Sequence, residues 1–159
     1  ALAIMKDSRV GSFGVVAIVF CLLIKAAALQ GLLDMDAGWA AVLLTPMAGR
    51  LAIVLAAAAG QPARPDGAGR IFLDEVRAGH FLAALAYTAA AAALALGLGA
   101  LAALAAVLLG TAWAVWRLSR RLGGLTGDCL GALNELGEGV FLVALLALRW
   151  AGLLQGGLV

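Results

Sequence analysis

Arg120, Arg121, the Gly123-Gly124 pair, Thr126, Asp128, Asn134 and Glu135 crowd into one short stretch of an otherwise apolar chain. If a helix begins near Asp128, then Asp128, Ala132 and Glu135 share a face at i, i+4 and i+7. Two carboxylates with only small residues between them can hold a hard divalent ion such as Mg²⁺ and leave positions for phosphate oxygens. The plainer reading makes Asp128 an N-cap and pairs Glu135 with a buried cation. A second cluster, Lys6-Asp7-Ser8-Arg9-Val10-Gly11-Ser12-Phe13-Gly14, sets two cations, a carboxylate and two hydroxyls beside helix-opening glycines. Basic side chains with free backbone N–H groups at a helix start suit phosphate or pyrophosphate, although the same residues would also serve as a simple membrane anchor. A third motif, Ala63-Arg64-Pro65-Asp66-Gly67, carries turn chemistry, with Arg64 the residue placed to do more.

These groups sit in a chain that is 65% hydrophobic and only 13% charged. Soluble domains are nearer half apolar and a quarter charged, so the chain belongs in lipid. A net charge of +2 and no basic run longer than Arg120-Arg121 exclude nucleic acid as a main partner. Cys21 and Cys129 fit neither a disulfide framework nor a zinc signature. Ala1-Leu2-Ala3 opens the chain without an initiator Met, and a longer protein is expected.

Spans need about 20 mainly apolar residues. Candidates run from about Val10 to Leu32, Trp39 to Ala59, and Leu130 to Trp150. Between them, His80 to Trp116 is long enough for two helices broken at Gly97-Leu98-Gly99, with one long tilted helix as the alternative. The expected fold is all-α, a polytopic membrane bundle of about five transmembrane helices, and residues 1–159 read as one integral-membrane domain. Lys6 and Arg9, then Arg64, Arg70 and Arg77, then Arg117, Arg120 and Arg121 all fall on one side of such a bundle. The positive-inside rule makes that side cytoplasmic. Trp39 and Trp150 belong at the opposite interface, and Arg149 would snorkel outward there.

Two cations lie deeper. Lys25 is placed to snorkel toward the far interface, whereas Arg50 needs an internal acidic partner or an anionic ligand, with Glu135 and Glu138 as candidate partners. His80, the only histidine, sits at an interface with no nucleophile beside it and reads as structural.

Met5 to Gly14 and Gly123-Gly124-Leu125-Thr126-Gly127-Asp128-Cys129-Leu130-Gly131-Ala132-Leu133-Asn134-Glu135 strongly resemble cobalamin synthase, the membrane-bound adenosylcobinamide-GDP ribazoletransferases. Gly49-Arg50 and Ala63 to Gly67 match the same family in the same order, and the resemblance covers essentially the whole chain. Family members carry an acidic signature upstream of the first motif that is not present here. The resemblance therefore implies the C-terminal two-thirds of such an enzyme. It implies transfer of adenosylcobinamide phosphate from its GDP ester to a ribose hydroxyl of α-ribazole or α-ribazole 5′-phosphate, with release of GMP. It further implies Lys6, Ser8, Arg9 and Arg64 as phosphate-binding residues and Asp7 and Asp128 as ligands of Mg²⁺. Asp128, Asn134 and Glu135 would be the catalytic group. The implied setting is the bacterial cytoplasmic (inner) membrane, with the lipid bilayer and other cobalamin-assembly enzymes as partners. A CDP-alcohol-type phosphotransferase is the enzymatic rival, and a small membrane transporter or assembly subunit is the non-enzymatic one.

Overall fold

The computed structural model describes residues 11–35, 38–63 and 69–154. Six helices follow in order: α1 (Ser12–Leu33), α2 (Gly38–Ala59), α3 (Arg70–Glu75), α4 (Ala78–Leu96), α5 (Ala100–Leu122) and α6 (Gly127–Trp150). Every helix except α3 is long and apolar enough to cross a membrane, which gives five spans. The protein is a multi-pass membrane protein with an all-α fold. At a rise of 1.5 Å per residue, each of the five reaches roughly 30 Å, the thickness of the hydrocarbon core. Large apolar side chains such as Phe13, Phe20, Leu43 and Leu109 face outward, as lipid contact requires.

The break in the long apolar run is where its glycines place it. Gly97 closes α4 with a positive φ of 79°, and its N–H reaches the Ala93 carbonyl at 3.0 Å. α5 begins three residues later, so the run forms two helices and not one. Arg117, Arg120 and Arg121, expected in a connection, instead continue α5 for its last turn and a half. Gly123 then ends that helix in the left-handed conformation at φ 78°. Arg120 lies over the Trp116 ring at 4.7 Å. The short helix α3 was not foreseen. Its sequence is polar overall, but Leu73 is buried and Arg70 pairs with Asp74 at 2.8 Å one turn away. His80 is structural, accepting the Arg77 backbone N–H on Nδ1 at 3.1 Å as α4 begins.

α2 and α6 form the centre of the bundle. Ala48, Gly49, Ala52 and Ala56 make a buried small-residue stripe on α2, against which α6 packs Leu133, Gly137 and Phe141. Without a hydrophobic drive between helices in lipid, close backbone approach through small residues supplies the contact. A Cβ at Gly49 would stand 2.7 Å from Glu138 Cγ and 2.8 Å from Asn134 Oδ1. Gly49→Leu is therefore expected to push α2 and α6 apart, at a cost of about 1–3 kcal/mol. A lower thermal midpoint and a shrunken monodisperse size-exclusion peak in detergent would register it.

The two ends of the bundle are held differently. At the far end, Arg149 donates to the carbonyls of Leu154 and Met35, each at 3.1 Å. It ties the α1–α2 connection to the end of α6 instead of snorkelling free. Trp39 and Trp150 are exposed at that end, as amphipathic rings at an interface should be. At the near end, Leu125 N–H donates to Gln61 O at 2.7 Å and Ala63 N–H to Leu125 O at 2.9 Å. This single parallel bridge joins the chain leaving α2 to the glycine-rich turn before α6.

Candidate functional site

Why the turn before α6 needs Gly124 follows from that bridge. Gly124 has φ 154°, and a Cβ there would lie 2.6 Å from Gln61 O and 2.7 Å from Ala63 N. Only glycine lets the two backbones meet. α6 then starts from Thr126, whose hydroxyl accepts the Cys129 N–H at 3.3 Å. Thr126 is the N-cap, and Asp128 stands two residues beyond it in the first turn, not at the cap itself. Asp128 is exposed and has no hydrogen-bond or ion-pair partner among the described residues. Gly69, at the start of α3, packs directly on Gly127. The residues on either side of 64–68, Ala63 and Gly69, thus both lie against the beginning of α6. Arg64 itself, together with Lys6, Asp7, Ser8 and Arg9, lies outside the described residues.

From Asp128 inward, α6 presents an exposed face made of Gly131, Ala132, Glu135 and Leu136. Asp128 and Glu135 share it, separated by about 10 Å of helix rise. Glu135 is not a free carboxylate. The Lys25 ammonium donates to Glu135 at 2.6 Å and to Glu138 at 2.7 Å. Asn134, buried beneath the same face, donates to Glu135 at 3.2 Å and Glu138 at 3.0 Å. Its amide oxygen accepts from Arg50. Among the described residues, no buried side-chain nitrogen or oxygen is left without a partner.

Two expectations are corrected by this network. Lys25 turns inward and bridges two carboxylates where snorkelling was expected. The reason is depth: Lys25 lies about 20 Å along α1 and Glu138 about 17 Å along α6, and both helices start from the same end of the bundle. A cation and two carboxylates at one level of a bilayer stabilise one another far better than any of them does alone. Arg50, expected to take Glu135 or Glu138, instead takes the neutral Asn134. Matching depths along α1 and α6 was the signal that could have found Lys25, but it needs the helix starts to within a turn.

Charge decides where further ligands can go. Lys25 and Arg50 are balanced by Glu135 and Glu138, so the inner cluster is neutral as it stands. Another charge beside it would enter uncompensated, at a cost of several kcal/mol in an apolar setting. A Mg²⁺ ion fits the outer position better. Such ions bind through one or two carboxylates plus substrate phosphates, and Asp128 offers an uncommitted carboxylate at the mouth. Among the described residues, no three His, Cys, Asp or Glu side chains cluster as a complete metal site.

Two cavities flank α6. One, of about 490 Å³, lies between α2, α3 and α6 and is lined by Arg50, Ile53, Val54, Phe72, Gly127 and Gly131 among others. The other, of about 530 Å³, lies between α1 and α6 and reaches Glu135.

Comparison with known proteins supplies the family. The chain is 44% identical to an adenosylcobinamide-GDP ribazoletransferase of Syntrophobacter fumaroxidans over 90% of this chain and 58% of the relative. It is 44% identical to one of a Roseiflexus species over 91% of this chain and 53% of the relative. It is 42% identical to one of Klebsiella pneumoniae over 91% and 59% respectively. The chain therefore spans somewhat over half the length of the relatives it matches. No solved structure matches it. The sequence profile of cobalamin-5-phosphate synthase matches residues 1–146, and the chain belongs to that family.

Proposed function

We propose that this chain forms part of a membrane phosphotransferase that joins adenosylcobinamide-GDP to α-ribazole, or to its 5′-phosphate. The products are GMP and adenosylcobalamin or adenosylcobalamin 5′-phosphate. The observation that carries the reading is Asp128. It is an exposed carboxylate with no polar partner among the described residues, set where the glycine-rich turn, the chain leaving α2 and α3 converge. That convergence occurs in a chain up to 44% identical to relatives bearing the transferase name.

A ribose hydroxyl oxygen of the acceptor, one that stays free when the 5′ position carries a phosphate, attacks the phosphorus attached to adenosylcobinamide. A new O–P bond forms as the bond to the GMP oxygen breaks. Asp128 orients the hydroxyl and accepts its proton, and GMP departs with the electron pair of the broken bond. Positioning and charge neutralisation carry most of such a reaction. Lys6, Ser8, Arg9 and Arg64 bind the pyrophosphate oxygens. Asp7 and Asp128 would hold Mg²⁺, which would neutralise pyrophosphate charge. Asn134 and Glu135 support the site from below, fixed by Lys25 and Arg50. The mouth faces the cytoplasm of a bacterial inner membrane, a reading supported by Arg117, Arg120 and Arg121 at that end of the bundle.

Membranes containing the complete reading frame, given adenosylcobinamide-GDP, α-ribazole and Mg²⁺, are expected to release GMP and form cobalamin in equal amounts. A correctly inserted, well-expressed protein that releases none would end the transferase reading. It would bring forward a membrane-assembly or transport role for the polar cluster.

A further inference from the structure

We propose that the cavity between α2, α3 and α6 receives the aromatic base of the acceptor nucleoside, and that Gly131 determines which bases fit. The inference rests on the transferase reading and adds to it a subsite that recognises an uncharged heteroaromatic ring.

Three observations lead there. The cavity, about 490 Å³, is of the size that takes a small organic ligand, roughly 300–1,000 Å³. Its walls are Ile53, Val54, Ala57, Val76 and Leu130, with the exposed ring of Phe72 on the α3 side as a stacking surface. Gly127 and Gly131 contribute no side chain, so a flat group can lie directly on the backbone of α6.

Charge narrows the choice of ligand. Arg50 is the one charged residue of the lining. It belongs to the neutral cluster with Lys25, Glu135 and Glu138, so a phosphate at this depth would be one charge too many. A neutral ring meets no such penalty. Arg50 is exposed, and Asn134 is its only hydrogen-bond partner among the described residues. A guanidinium carries five N–H donors in a planar fork, so the others are available to a ring-nitrogen lone pair, and the plane can stack on an aromatic face. A hydrocarbon tail of a lipid would leave those donors without an acceptor.

Position completes the case. The cavity runs up to Gly127, beside Asp128. Gly131 and Asp128 are separated by about 4.5 Å of helix rise. A nucleoside whose base lies over Gly131 therefore directs its sugar toward the carboxylate that handles the attacking hydroxyl.

Gly131→Phe in the complete reading frame, assayed in membranes, tests this. A Cβ at 131 meets nothing within 4 Å, so a side chain can start there without moving the backbone, beside the cavity that Gly131 lines. The KM for α-ribazole is expected to rise about tenfold or more, with the KM for adenosylcobinamide-GDP within about twofold of wild type. The loss should shrink for an acceptor with a smaller base, an imidazole riboside, and Gly131→Ala should raise the same KM by less than Gly131→Phe does. Val54→Trp, from the facing wall, should give the same split and serves if Gly131→Phe does not accumulate. A rise in the donor KM, an equal loss for every base, or no change in either KM would overturn the subsite and leave the transferase reading standing. An unmoved acceptor KM is also the result expected if a lipid tail fills the cavity. Wild-type membranes inactive with every acceptor would remove both.

Discussion

Asp128→Asn in the complete reading frame is expected to lower the rate of GMP release by about 10²–10³-fold or more while the protein stays in the membrane in wild-type amount. Such a loss is typical when a preorganised group at the reacting centre is removed. The structure gives little other reason for one. Thr126, not Asp128, caps α6. Asp128 touches no described polar group. Its one structural contribution is a favourable charge in the first turn of a helix, worth about 0.3–1 kcal/mol. Initial rates alongside quantitative immunoblots of the membrane fraction separate the two effects. Activity within about threefold of wild type would remove Asp128 from the chemistry, and loss of the protein in step with loss of activity would assign it a folding role.

Lys25→Met should act in the opposite way, through stability first. Removing the cation leaves its two carboxylates uncompensated within the apolar span, at a cost of about 2.5–3.5 kcal/mol. For a protein of this size that corresponds to a fall in thermal midpoint on the order of 10 °C. Glu138 should account for more of it than Glu135, because its side chain is 17% exposed against 52% for Glu135. Adding Glu138→Gln to Lys25→Met is therefore expected to restore a good part of the midpoint. Adding Glu135→Gln should restore a smaller part. Thermal unfolding in lipid nanodiscs reads all four proteins. A Lys25→Met variant as stable as wild type, or one that Glu138→Gln does not help, would contradict the network.

The spans were legible because lipid imposes a length and a hydropathy that few sequences meet by accident. Even the division of the long run at Gly97 could be read from glycine spacing. What escaped was of two kinds. Short α3 is held by one buried leucine and an i, i+4 ion pair, neither of which stands out in a polar linker. The inner network joins residues more than 80 positions apart. Local pattern could show that Lys25 and Arg50 needed partners, but only helix registry assigns the carboxylates to one and the amide to the other. The site residues divide in the same way. That Asp128 stands at the start of α6 could be read from its glycine-rich approach, whereas the engagement of Glu135 by Lys25 depends on how α1 crosses α6.

The cancellation of charge within that inner network has a consequence wherever a membrane carries a voltage. Across a bilayer, each elementary charge feels about 2.3 kcal/mol per 100 mV. Two positive and two negative groups at nearly the same depth feel almost no net pull. The voltage that drives so much else in such a membrane therefore neither draws α1, α2 and α6 apart nor presses them together. A helix contact built this way keeps its shape whether that voltage is present or absent.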